Sequence, residues 1–204
     1  HLALAIWLGA LIIIAGGLLL FESDQLWKIQ EKSLFLNSTL FLKEQLLVPG
    51  GLLTWIGTWF TQFLYYPWLG VSMLCAWWLL LMVLTKHTFR IPNRWAILLL
   101  IPVAILLLAN MSLGYWIYIL KLKGFFFVPT IGTTAVVTML WGFKCIPDRY
   151  YMHTVYIFIV CALGYPLFGI YGLVAALLMG IWSWQLLARR TEAIIHNIVA
   201  ILSV

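Results

Sequence analysis

Charge is what this sequence has least of. Asp, Glu, Lys and Arg make up 9% of its 204 residues while 65% are apolar, against roughly 25% charged residues in an ordinary soluble domain. A mean hydropathy of +1.06 excludes a water-soluble fold, because no single core hides that much apolar surface. Acids are scarcest of all: six, against twelve basic residues, for a net charge of +6. The bases are scattered among loops, which excludes a nucleic-acid patch and fits anchoring at the cytoplasmic side of a membrane. Also missing are a P-loop, a G-x-S-x-G elbow, an H-E-x-x-H pair and a charged helix centre, so a pump, a soluble-type hydrolase and an intramembrane metalloprotease lack their usual residues. The halves carry no matching broken helices, which disfavours a secondary transporter. Cys75, Cys145 and Cys161 form no C-x-x-C and stand at no metal-ligand spacing with histidine; they read as buried thiols.

What the sequence has is long apolar runs: Leu2 to Phe21, Gln45 to Thr85, Trp95 to Leu120, Gly124 to Phe143, and Tyr150 to Ala188. Each is near or above the roughly 20 residues a bilayer core requires, and none alternates as a barrel strand does, so they predict helices. Leu2 to Phe21 lacks a basic leader and a cleavage site and reads as a span, not a signal peptide. Gly164-Tyr165-Pro166 and Gly169 divide the last run in two. In the second, Pro49-Gly50-Gly51 and Tyr66-Pro67 bracket a stretch whose Thr54, Thr58, Thr61 and Gln62 fall on one helical face, which predicts an interfacial or bundle-facing helix. The expectation is an all-α bundle of about six spans, near 2–21, 67–85, 95–110, 124–143, 150–164 and 169–188, in one domain over 1–204. An external helical segment covers 22–66. The missing Met and the apolar end at Val204 suggest part of a longer chain. Residues 110–123 read as an interfacial stretch or as an extension of the third helix.

An N-terminus inside puts Lys86, Arg90, Arg94, Lys144, Arg149, Arg189 and Arg190 in the cytoplasm and Lys28, Lys32, Lys43, Lys121 and Lys123 outside. This mild bias favours N-in and C-in. The first outer loop then holds Glu22, Asp24, Glu31 and Glu44, most of the acids in the chain.

That loop is where chemistry is expected. Glu22 and Asp24 would converge on an extended backbone, and such oxygen donors suit Mg²⁺ or Mn²⁺; the bland alternative is a pair of solvated acids at a helix exit. Their position is similar to that of the E-x-D or D-x-D acids in the first external loop of GT-C membrane glycosyltransferases. That analogy implies Glu22, Asp24 or Glu31 as metal ligand or catalytic base, a lipid-phosphate-linked sugar as partner, and Lys28, Lys32 or Lys43 at its phosphate, beside Gln62 and Tyr65. Helix–helix hydrogen bonding is the competing role for Gln62 and the threonine stripe.

Pro49-Gly50-Gly51-Leu52 and Thr61-Gln62-Phe63-Leu64-Tyr65-Tyr66-Pro67-Trp68-Leu69-Gly70 are the most specific words in the chain. With Gln30-Glu31-Lys32-Ser33-Leu34-Phe35 and the stretch Leu40 to Leu47, residues 25–75 resemble an uncharacterised family of multi-pass inner-membrane proteins of Bacteroidetes, known only as a domain of unknown function. The resemblance implies a bacterial inner-membrane protein whose longer relatives continue into a non-membrane region, with Gln30 and Glu31 as the family-like polar pair. It implies no activity.

Other motifs have plainer readings. Asp148-Arg149-Tyr150 reads as a helix N-cap, not a receptor triplet. Asn37-Ser38-Thr39 and Asn110-Met111-Ser112 are sequons on expected outer loops. His153 reads as structural, and His87 and His196 as solvent-side. Gly172, Ala176 and Gly180 recur every four residues, a stripe through which a partner helix would pack.

Overall fold

The computed structural model describes residues 2–33, 35–120, 126–146 and 150–185, without the side chains of Leu2, Lys32, 112–120, Tyr150 and Tyr151. Lys121, Lys123, Asp148, Arg149, Arg189, Arg190 and His196 lie outside the described residues. Among those described, every regular element is helical. Helix α1 (Leu2–Phe21) leads into α2 (Ser23–Lys32), α3 (Thr39–Leu46) and α4 (Gly51–Thr61). A 3-10 turn (Gln62–Tyr65) precedes α5 (Pro67–Phe89), and a second (Asn93–Leu99) precedes α6 (Leu100–Leu120). Then come α7 (Val128–Cys145), α8 (Tyr150–Phe168) and α9 (Ile170–Gln185).

Local chemistry accounts for most boundaries. Pro67 and Pro129 open α5 and α7 in the first turn, where the missing N–H costs nothing. Ser38 caps α3 by accepting from the Phe41 N–H at 3.2 Å. Arg90 closes α5 in a left-handed conformation, with the N–H of Ile91 reaching back to the Lys86 carbonyl at 3.1 Å. Three expected boundaries move. The expected third span at 95–110 begins as a 3-10 turn and then runs as α6 to Leu120, so 110–120 extends that helix. Asn110 is therefore a buried helical residue, not part of an outer loop. The fifth helix continues past Gly164 and takes Pro166 into its last turn, ending at Gly169 (φ 60°). A proline near a helix end forfeits little, and the left-handed residue after it suits glycine.

The bundle is organised around α5 and α7. Trp78, fully buried, donates its indole N–H to the Thr130 hydroxyl at 3.2 Å, and Lys144 donates to the Thr88 carbonyl at 2.6 Å. These contacts sit at successive levels along both helices, so α5 and α7 run parallel. Helix α1 runs against α5: Trp7 donates to the Ala96 carbonyl at 2.9 Å beneath the Lys86 ammonium, while Leu11 lies beside Cys75. Helix α9 returns parallel to α7, with Tyr171 on Gly132 and Trp182 on Phe143. Apolar residues fill the space between, in one cluster from Trp7 to Ile131 and a second around Val136, Phe143, Val160 and Met179.

Among the described residues three helices are long and apolar enough to cross a bilayer: Ala3–Phe21, Pro67–Phe89 and Asn93–Met111; Met152–Phe168 and Ile170–Gln185 are apolar but shorter. The thiols do not all lie inside, since Cys75 is half-buried while Cys145 and Cys161 are exposed. An apolar neighbourhood in sequence placed them in helices but not on inward faces. His153 packs on Phe143 and is buried, whereas His87 is exposed.

Candidate functional site

The segment 22–66 folds as a helical cap over one end of the bundle. Leu26 is its anchor, buried with Leu18 and Leu64 in the main core. Trp27 donates its indole N–H to the Tyr65 carbonyl at 3.0 Å and stacks on the Tyr65 ring at 6.2 Å. The Gln62 amide donates to the Ser33 carbonyl and, at 3.4 Å, to that of Thr58. Gln62 thus ties the end of α2 to the end of α4, as expected for a polar group that needs a partner inside a bundle. Farther along, Phe35 wedges between Phe41 and Trp55, holding α3 on α4.

The threonine stripe faces inward, with Thr58 and Thr61 fully buried. Its hydroxyls are spent locally: Thr54, Thr58 and Thr61 donate to the carbonyls of Gly50, Thr54 and Gly57 at 3.1, 2.7 and 2.7 Å. Back-bonding of this kind satisfies a buried hydroxyl without a second helix, so the expected interhelical role falls to Gln62 alone. At its other end α4 meets the α8–α9 turn. Gly50, at φ 81°, donates its N–H to the Pro166 carbonyl at 2.9 Å and lies against Gly169 so closely that a Cβ would stand 3.3 Å from the Gly169 Cα. Two turn signals far apart in sequence are therefore one contact in space.

The carboxylates do not gather. Glu22 is the half-buried N-cap of α2 with no side-chain cap bond, and Asp24 is exposed in the first turn. Because Ser23 onward is helical, side chains two residues apart diverge by about 200°, and the extended geometry needed for convergence is not present. Glu31 and Lys28 are exposed farther along α2, and Lys43 is exposed on α3, which packs on α4 instead. Among the described residues no group of three or more His, Cys, Asp or Glu could hold a metal.

Two features lie outside the sequence reading. Asn110 is buried on the α6 face shared with Val103 and Leu106, and neither of its side-chain polar atoms has a partner among the described residues; nothing in the structure explains it. The other is an apolar groove of about 430 Å³ between α1 and α5, lined by Leu8, Ala15, Leu19, Trp68, Cys75 and Ala76 among others.

The stripe on α9 is mostly used within the chain. A Cβ on Gly172 would stand 2.2 Å from the Gly164 carbonyl carbon, Ala176 packs on the second core cluster, and Gly180 has no neighbour within 4 Å of its Cβ position among the described residues. The open glycines of α1, Gly9, Gly16 and Gly17, lie in a helix read only as a span.

Comparison with curated proteins and with solved structures returns no match. The family comparison reaches beyond the 25–75 stretch that carried the resemblance, matching residues 1–204. The chain belongs to a family of unknown function, DUF6057.

Proposed function

We propose that this chain is a multi-pass protein of the bacterial inner membrane, N-in and C-in, crossing with α1 and α5 to α9. Its cap would work on a lipid-linked substrate at the outer face. The crossing pattern is supported by the alternating helix directions and by the separation of charge. Lys86, Arg90, Arg94 and Lys144 lie toward one end without acids among the described residues, while Glu22, Asp24, Glu31 and Glu44 offset Lys28, Lys32 and Lys43 toward the other, in keeping with a positive inner side. Helix α7 is threonine-rich for a span, a composition suited to a helix that faces protein instead of lipid, whereas α8 and α9 are apolar and turn Phe158, Leu163, Ile170 and Leu177 outward, as lipid-facing spans would.

The activity proposed is sugar transfer of the GT-C kind, with Glu22 as the base. The observation that carries it is the half-buried Glu22 where α1 meets the cap, three residues beyond Leu19, the last α1 residue that lines the α1–α5 groove. Lys28 and Lys32 on α2 would meet the phosphate, and Tyr65 the sugar. Glycan profiling of cells carrying Glu22→Gln, Asp24→Asn or Glu31→Gln tests this. Loss with Glu22→Gln and little change with the others is the expected result. An unchanged profile in all three leaves the second reading, a non-catalytic anchor or assembly subunit. The outward-turned Asp24 and Glu31 favour that reading.

A further inference from the structure

The groove between α1 and α5 has a definite length and one polar end. Its α1 wall runs from Leu8 to Leu19, about 16 Å at about 1.5 Å per residue, close to half of a hydrocarbon core about 30 Å thick. It is therefore as deep as one leaflet, on the cap side. The wall is apolar apart from two groups already occupied: Ser72 donates to the Leu69 carbonyl at 2.7 Å, and the Cys75 thiol lies 3.9 Å from the Leu11 carbonyl. Nothing inside calls for water or a polar ligand.

The open end differs. The Glu22 N–H bonds the Leu18 carbonyl at 3.1 Å, so the helical path of α1 continues through Glu22. Leu8, Leu11, Ala15 and Glu22 then stand at i, i+3, i+7 and i+14, on one face, so Glu22 follows the stripe that lines the groove at its cap end. No lysine or arginine among the described residues pairs with Glu22. On the α5 wall Trp68, next to the residue that opens that helix, is exposed, at the depth where tryptophan indoles meet headgroups, and its N–H has no protein partner among the described residues. The mouth thus offers one anionic acceptor and one neutral donor above a slot for a single hydrocarbon chain.

We infer that this groove binds an outer-leaflet phospholipid whose headgroup carries a primary ammonium. The chain lies along Leu8 to Leu19, the ammonium on Glu22, and a phosphate or ester oxygen accepts from Trp68. A phosphate monoester or a purely anionic headgroup would set negative charge against Glu22, and a quaternary ammonium has no N–H to donate. The inference rests on the membrane orientation proposed above but not on sugar transfer.

The test uses the full chain, purified in detergent and exposed to equal amounts of phosphatidylethanolamine, phosphatidylcholine and phosphatidylglycerol, with retained lipid read by native mass spectrometry. Phosphatidylethanolamine is expected to be enriched on the order of tenfold, the worth of one charge-assisted hydrogen bond. Glu22→Gln should abolish the enrichment while leaving total lipid unchanged, and Ala76→Phe, which fills the groove, should remove the retained lipid. Equal retention of the three lipids, detergent alone in the groove, or enrichment that survives Glu22→Gln overturns the proposal. Where Ala76→Phe does not fold, alkylation of Cys75 by an apolar maleimide, in a chain with Cys145→Ser and Cys161→Ser, decides. Phosphatidylethanolamine should slow it, and an unchanged rate counts against the site. A glycan change in Glu22→Gln without lipid selectivity ends this inference and keeps the transferase; selectivity without a glycan change does the reverse.

Discussion

Helix α1 is an almost uninterrupted hydrocarbon surface, while α7 carries Thr130, Thr133, Thr134 and Thr138 and has Lys144 in its last turn. Composition alone would make α1 the centre of the molecule. The structure reverses this. Of the three helices that meet the requirements for a span, α1 is the most apolar and the least buried, with Ile12, Ile13 and Leu20 largely exposed. Helix α7 buries Thr130, Ile131, Gly132, Thr134, Leu140 and Phe143 against α5, α8 and α9. In a bilayer, hydrocarbon on a helix surface reports contact with lipid, whereas contact with protein selects small residues and hydroxyls that back-bond their own helix. Thr133, Thr134 and Thr138 do so, at 2.8, 2.7 and 2.8 Å from the carbonyls of Pro129, Thr130 and Thr134.

This contrast can be broken most sharply at Gly132. A Cβ there would lie 2.6 Å from the Tyr171 ring, so Gly132→Leu forces α9 away from α7 and is expected to cost about 3 kcal/mol. Loss of a monodisperse, heat-stable species on size exclusion would register it; a chain that melts as the wild type does would remove α7 from the centre. A smaller effect is expected from Thr130→Val, which leaves the buried Trp78 N–H without its acceptor. About 1 kcal/mol is expected, near the measured range for hydrogen bonds inside membrane proteins, as a lowered melting midpoint that the added Trp78→Phe does not lower further. The smallest belongs to α1. Ile13 is 77% exposed, and Ile13→Ala should change stability by less than about 0.5 kcal/mol. A larger loss would mean that this face of α1 is covered by protein.

The same division separates what was legible in the cap from what was not. Pro49-Gly50-Gly51 and Tyr66-Pro67 predict the limits of α4 and the start of α5, and both hold, because glycine conformational freedom and the missing proline N–H act through local geometry. The inward face of the threonine stripe was equally legible from helical spacing. The partner of Gln62 was not, since Ser33 lies 29 residues away on an element whose packing depends on Leu26 and Trp27. Convergence of Glu22 and Asp24 depended on an extended backbone, and α2 instead begins at Ser23. One local conformation turned a potential ligand pair into a single half-buried carboxylate and an exposed neighbour.

The sequence by itself determined that this chain is helical, apolar beyond what water tolerates, and polar mainly in one segment. Those properties follow from residue type and spacing, and they persist in any arrangement of the helices. Only the tertiary structure decided which helix faces inward, that Gly50 meets Gly169, and that α1 and α5 leave a groove beneath Glu22. Each depends on side chains distant in sequence meeting at van der Waals range, where the volume and shape of particular pairs set the outcome.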